Sequence, residues 1–321
     1  MILTVTLNPL LERRLTYDKV KFSEENRNGI SELKAGGKGI NVSRQLKNLN
    51  IDNLAYTFSG GSNGKIFKEI LSKENIKFTF VRTVAEIREA SIIIEKSSKS
   101  LSTFYQENSV ISENEADEFK NKLEKMIENC EIVIFSGSSP CKETNSIFPF
   151  GIRTANKYDK ISICDTYGNH LKDCIEEGPT ILHNNVAETE NSLQSDLNSE
   201  KSKIDYLNYL YSKNIKQAYL TEGSSSFYCS NFDYHFKVCL PQIPVVDPTG
   251  SGDSFAAGIA YGIHKNLTFN NSLAVASSLG IENALRYDAA NVRSNDIEKW
   301  KDQVKIESSG KKMKTLDVTP R

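Results

Sequence analysis

The sequence predicts an α/β fold with a mainly parallel central sheet and a small β-sheet lid. Short β-rich runs alternate with helix-length periodic stretches along most of the 321 residues, the rhythm of βα units. Two regions, 14–33 and 91–105, carry strand-like alternation with no helix between, as antiparallel ribbons do. Late in the chain a meander of short strands precedes two apolar helical stretches.

Taken in order, residues 2–7 and 54–58 read as strands, and 40–49 and 65–74 as helices. A helix over 113–129 is followed by strands over 132–135 and 161–164 and a helix over 202–212. The meander spans 217–220, 226–229 and 234–238; a further strand ends at Val246, and helices cover 252–264 and 273–285. One domain over 1–306 is expected, because α/β folds of this length form one large unit with a small appendage. Its lid is formed by residues 12–34 and 88–106, and 307–321 form a polar tail.

Charge and composition exclude several classes of function. The 40 Lys and Arg nearly balance the 41 Asp and Glu, so no global field gathers nucleic acid or an anionic membrane surface. No apolar run approaches the roughly 18 residues of a membrane span, and residues 2–7 lack a charged leader, so a cytoplasmic protein is expected. The six cysteines show no CxxC pairing, and no two histidines stand at i, i+4, so neither points to a dedicated metal centre.

Two glycine clusters carry the chemistry. In Asp247-Pro-Thr-Gly-Ser-Gly-Asp-Ser-Phe-Ala-Ala-Gly258 a glycine turn opens a small-residue helix. Gly250, Ser251 and Gly252 can turn backbone N–H groups toward one point at the positive end of the helix, which stabilises phosphate oxygens. A carboxylate at that point repels a bound phosphate, so Asp253 makes sense as the base that takes a proton from an attacking hydroxyl. Taken alone, the same stretch also fits an ordinary capped turn. In Ala35-Gly-Gly-Lys-Gly-Ile-Asn-Val-Ser-Arg44, Gly37 permits close approach to a polar ligand. Lys38 can neutralise a phosphate there, and the Asn41 amide can donate to and accept from a sugar hydroxyl.

In order and spacing, the two clusters resemble the motifs of the PfkB, or ribokinase-like, carbohydrate kinases. The likeness extends to Thr4-Val-Thr-Leu-Asn-Pro9, to Asn26-Arg27 in the lid and to Ser136-Gly-Ser-Ser-Pro140. Thr-Leu-Asn-Pro together with Gly-Gly-Lys-Gly is similar to the branch of 1-phosphofructokinases and tagatose-6-phosphate kinases. The resemblance implies a three-layer domain with a β-sheet lid that phosphorylates an already phosphorylated hexose with ATP and Mg²⁺. It maps Asp253 to the base and Gly250, Ser251 and Gly252 to the anion hole. Gly37, Lys38, Asn41, Arg27, Arg88, Ser138 and Glu12 map to the sugar-phosphate side, where the planar fork of arginine suits phosphate. Asn185 and Glu188 resemble an Asn-x-x-Glu element that arranges magnesium, directly or through water. Thr221, Gly223 and Ser226 fall at the nucleotide loop, with Asn283 on a helix flanking adenine. An exposed edge of the lid further suggests a homodimer.

The chain departs from the family pattern at several places. Glu12 stands where an Asp is usual, His183-Asn184 replaces Lys-Pro, Asn108-Ser109 replaces Gly-Pro, and Glu222 replaces an apolar residue. A kinase for an unphosphorylated sugar or nucleoside, and a catalytically silent sugar-phosphate sensor, are the alternatives. Lys38, Arg27 and Arg88 count against a neutral substrate, which gives three cations no partner.

Overall fold

The computed structural model describes residues 1–224 and 226–309. The first half of the chain comprises β1 (Ile2–Thr6), β2 (Leu10–Tyr17), β3 (Ile30–Gly36), α1 (Lys38–Asn48), β4 (Asn53–Gly60), α2 (Gly61–Lys73), β5 (Phe78–Thr83), β6 (Glu89–Glu95), β7 (Ser100–Tyr105) and α3 (Glu113–Glu128). Then come β8 (Ile132–Ser136), α4 (Ile147–Lys157), β9 (Ile161–Asp165), α5 (Leu171–Glu176), β10 (Ile181–Asn185), α6 (Val186–Leu193) and α7 (Glu200–Ser212). The last part holds β11 (Gln217–Thr221), β12 (Ser226–Asn231), β13 (Tyr234–Cys239), α8 (Ser251–His264), α9 (Phe269–Ala284), α10 (Glu298–Lys301) and β14 (Lys305–Ser309).

β1 and β8 are buried at every position, which a strand achieves only with cover on both faces. They lie inside a ten-stranded sheet of order β14-β13-β12-β11-β10-β9-β8-β1-β4-β5. Pairing from β11 to β5 is parallel, and β11, β12, β13 and β14 pair antiparallel. On one face α3 buries Ala116, Phe119, Leu123 and Ile127, a helical stripe whose Phe119 stacks on Tyr56 at 4.0 Å. Ser112 and Glu115 form a reciprocal capping box that fixes where this helix begins.

On the opposite face α1, α8 and α9 cover the sheet through Val42, Leu46, Phe255, Ile259 and Leu279. A Cβ on Gly258 would lie 2.5 Å from Ala276 Cα, so only glycine lets α8 approach α9 this closely. The predicted three-layer, ribokinase-like architecture is therefore the one observed. Among the described residues no helix is long and apolar enough to cross a membrane.

The lid is a separate four-stranded sheet of order β3-β2-β6-β7. It contains the two expected antiparallel ribbons, β2 with β3 and β6 with β7, joined by a parallel ladder between β2 and β6.

Two expectations fail. No strand ends at Val246: residues 240–246 are irregular, because Pro241 and Pro244 remove ladder donors and Ile243 and Val245 line a cavity instead. The polar tail does not begin at 307, since β14 runs to Ser309 along β13. Only Ile306 among its five residues is apolar, so the strand has almost no alternation to betray it. The rest of the predicted tail, 310–321, lies outside the described residues.

Candidate active site

A cavity of about 830 Å³ opens beneath the lid, beside the carboxyl ends of the parallel strands and the N-termini of α1 and α8. Gly250 caps α8 with φ of 82°, and a Cβ there would meet Ala289 Cβ at 2.8 Å. Both the left-handed backbone and the crowding require glycine. Gly37 caps α1, also at a positive φ, of 112°. Gly37, Gly250, Ser251 and Gly252 all line the cavity.

Asp253 stands in the first turn of α8, 5% exposed, and accepts a 2.8 Å hydrogen bond from Asn41 Nδ2. The orientation of Asn41 is fixed from behind. Its Oδ1 accepts from Arg44 Nη1 at 2.8 Å, and Arg44 is itself held by Glu74 at 2.8 Å and by the Ala35 carbonyl at 2.6 Å. Burial pushes the Asp253 carboxyl up to about 7 against the pull of Lys38, with Asp165 and Glu188 adding to the rise. A carboxyl so placed exchanges its proton near neutrality, as a general base requires.

Lys38 lines the cavity, but it does not reach freely toward a sugar phosphate. Its Nζ lies 3.0 Å from Glu188 Oε1 and 3.4 Å from Asp165 Oδ1, over the Tyr167 ring at 4.8 Å. Burial opposes its charge, yet Asp165, Glu188 and Asp253 outweigh that and hold its pKa well above the usual lysine range. Asp165 is buried; although burial works against its charge, Lys38 and His183 keep its carboxyl well below the usual range. Ser136 Oγ donates to it at 3.2 Å, and His183 Nδ1 lies 3.5 Å away. Sequence reasoning missed Asp165. The signal was available: it ends β9, and the carboxyl ends of parallel strands face the crevice.

At the end of the cavity under the lid, Glu12, Arg88 and Ser138 are lining residues, together with Asn8 and Tyr105. Glu12 is paired at 3.0 Å with Arg14, both buried. Arg27 is not there. It sits on the exposed loop between β2 and β3, paired with Glu25, since loop spacing alone says nothing about where an exposed arginine points.

Further along the cavity, Asn185, Glu188, Thr221 and Gly223 are lining residues; Ser226 is not among them and opens β12. Asn185 Oδ1 caps α6 by accepting from Ala187 N at 2.9 Å. Asn283 does not flank a ligand. It is fully buried and donates to Thr249 O at 2.8 Å and Ser251 Oγ at 3.1 Å, so it braces the glycine loop before α8. The cavity face of α9 is instead Ser277, Gly280, Ile281 and Ala284, at i, i+3, i+4 and i+7, with Leu240, Ile243 and Val245 also lining this apolar part. Glu222 is neutralised by an ion pair with Lys203.

The cleft is that of a phosphotransferase with an alcohol as acceptor: a carboxyl near neutrality stands in the first turn of a helix whose glycine cap lines the cavity, between a polar end and an apolar end. Residues 10–295 match the model of the pfkB family carbohydrate kinases, and the chain belongs to that family. It is 27% identical over 312 residues to a tagatose-6-phosphate kinase of Staphylococcus epidermidis, covering 95% of this chain and 99% of the relative. It is 29% identical over 311 residues to a 1-phosphofructokinase of Borreliella burgdorferi, covering 96% and 98%. The solved structure of phosphofructokinase-2 from Escherichia coli in complex with potassium superposes with a TM-score of 0.85, covering 94% of this chain and 98% of that one. At 20% identity, that likeness speaks for the fold.

Proposed function

We propose that this chain transfers the γ-phosphoryl group of ATP to a hydroxyl of a phosphorylated hexose, giving the bisphosphate, with fructose 1-phosphate preferred and tagatose 6-phosphate next. The observation that carries this reading is Asp253, buried at the mouth of α8 with a carboxyl poised at about 7. Asp253 takes the proton of the acceptor hydroxyl as the oxygen attacks in line, while N–H groups from Gly250 onward stabilise charge on the transferring group. The ATP phosphates run from this loop past Thr221 and Gly223, and the base lies in the apolar slot beside Ile281 and Ala284. Arg88 receives the phosphate already on the sugar; among the described residues it has no carboxylate partner, unlike Lys38 and Arg27.

The donors present fit Mg²⁺, which keeps several waters and takes one or two carboxylates beside substrate phosphates. Glu188, partly exposed in the cavity, would hold it directly or through water, while the oxygen of Asn185 already serves its helix. When bound, the ion supplies charge to neutralise the phosphates. The closure of the lid excludes water that would otherwise consume ATP. Its outer strands β3 and β7 each present a sheet edge, and Phe104 on β7 is exposed, which suits pairing with a second copy. With ATP and a sugar phosphate as substrates, the reaction is placed in the cytoplasm.

A coupled assay of ATP consumption with fructose 1-phosphate, tagatose 6-phosphate, fructose 6-phosphate and ribose tests the reading. Turnover with phosphohexoses is expected. Turnover with ribose alone overturns it, and thermal stabilisation by sugar phosphate without turnover identifies a sensor.

A further inference from the structure

At the sugar end, three side chains form a relay. Arg88 Nη1 donates to Asn108 Oδ1 at 2.9 Å, and Asn8 Nδ2 donates to the same oxygen at 3.0 Å. Asn8 Nδ2 also donates to Ser138 Oγ at 3.2 Å. A guanidinium carries only donors, so the Asn108 atom facing Arg88 is its oxygen. That oxygen in turn demands a donor from Asn8. Reversing the Asn8 amide would set two carbonyl oxygens against each other at the same contact. The Asn8 Oδ1 therefore faces away from Asn108, and it is buried without a hydrogen-bond partner. Arg88 Nε is buried and unpartnered as well. Buried polar atoms are seldom left open, and an acceptor and a donor beside one cavity fit a ligand that brings a hydroxyl and an anion.

We propose that Asn108 is a positioning residue that selects the sugar: through Arg88 it fixes the Asn8 amide so that an acceptor, not a donor, meets a substrate hydroxyl. Asn108 lies on an exposed loop and is not among the cavity-lining residues, so it acts through its neighbours. The identity of the ligand rests on the kinase reading, whereas the polarity of Asn8 does not.

The test compares the parent chain with Asn108→Ala, using fructose 1-phosphate and its deoxy analogues, one hydroxyl removed at a time. Asn108→Ala raises the KM for the sugar phosphate about tenfold, leaving kcat and the KM for ATP within about twofold. One deoxy analogue costs the parent about tenfold in kcat/KM and costs Asn108→Ala little, a coupling that a loop with a merely structural role would not produce. Equal discrimination by both proteins overturns the proposal. If the parent turns over no phosphohexose, the kinase reading fails, and the same coupling must appear in calorimetric Kd values; absence of coupling or of binding then overturns the proposal as well.

Discussion

Arginine fixes an asparagine amide at both ends of this cleft, but in different settings. At the reaction centre, buried Arg44 is gripped by Glu74 and the Ala35 carbonyl and turns the Asn41 NH₂ group onto Asp253. At the sugar end, half-buried Arg88 on the lid side reaches Asn8 through Asn108 on an exposed loop. The first sits between packed helices and the main sheet; the second spans an edge that moves if the lid moves. On the proposed function, the chemistry is thus built between packed helices and the main sheet, and recognition at the edge of the lid. Substitutions at the two ends should separate into effects on kcat and effects on KM.

The largest effect is expected at Asp253. Asp253→Asn should lower kcat by about 10²–10⁴-fold while ATP and sugar phosphate still bind. Single-turnover kinetics with calorimetry checks this, and near-normal turnover would remove the assigned base. At the edge of the lid, Arg88→Met should raise the KM for the sugar phosphate about tenfold to hundredfold, the worth of a hydrogen bond to a charged group, with kcat little changed. A fall in kcat instead would erase the division between the two ends.

A smaller effect follows from the raised carboxyl of Asp253, about 7 against the ordinary 3.8. kcat/KM should climb as pH rises through about 7 and level off above it. Stability runs the other way. Between the unfolded and folded pKa values the folded chain holds more protons, so this group's contribution falls as pH rises through that window. Asp253→Asn should therefore raise Tm by about 3 °C or more at pH 8 and by less at pH 5, measured by calorimetry. The smallest effect is predicted for Arg27→Ala, whose KM values should stay within about twofold of the parent, since an exposed pair such as Arg27 with Glu25 contributes little.

The main sheet, the helices around it and the lid were legible in the sequence because burial on both faces leaves continuous apolar runs and amphipathic stripes repeat at helical spacing. The loop from Gly250 to Asp253 was legible for a related reason: its backbone admits little but glycine, and a carboxylate beside anion donors needs a chemical purpose. Asp165 was not, because a lone Asp ending a strand carries no local sign of the lysine and histidine that fold onto it. Asn283 was misread as facing a ligand, and a helix position does reveal its face only through its neighbours: Ser277, Gly280, Ile281 and Ala284 mark the cavity stripe, and Asn283 lies just off it. The strand expected to end at Val246 is absent because Pro241 and Pro244 remove ladder donors just before it.

The parallel ladder between β2 and β6 has a practical outcome. Each ribbon of the lid is anchored twice: β2 pairs with both β3 and β6, and β3 leads directly into α1. The exposed segment 18–29 that links β2 to β3 is therefore not what holds them together. A protease that nicks the chain there should release two fragments on a denaturing gel that still travel as one particle in native buffer.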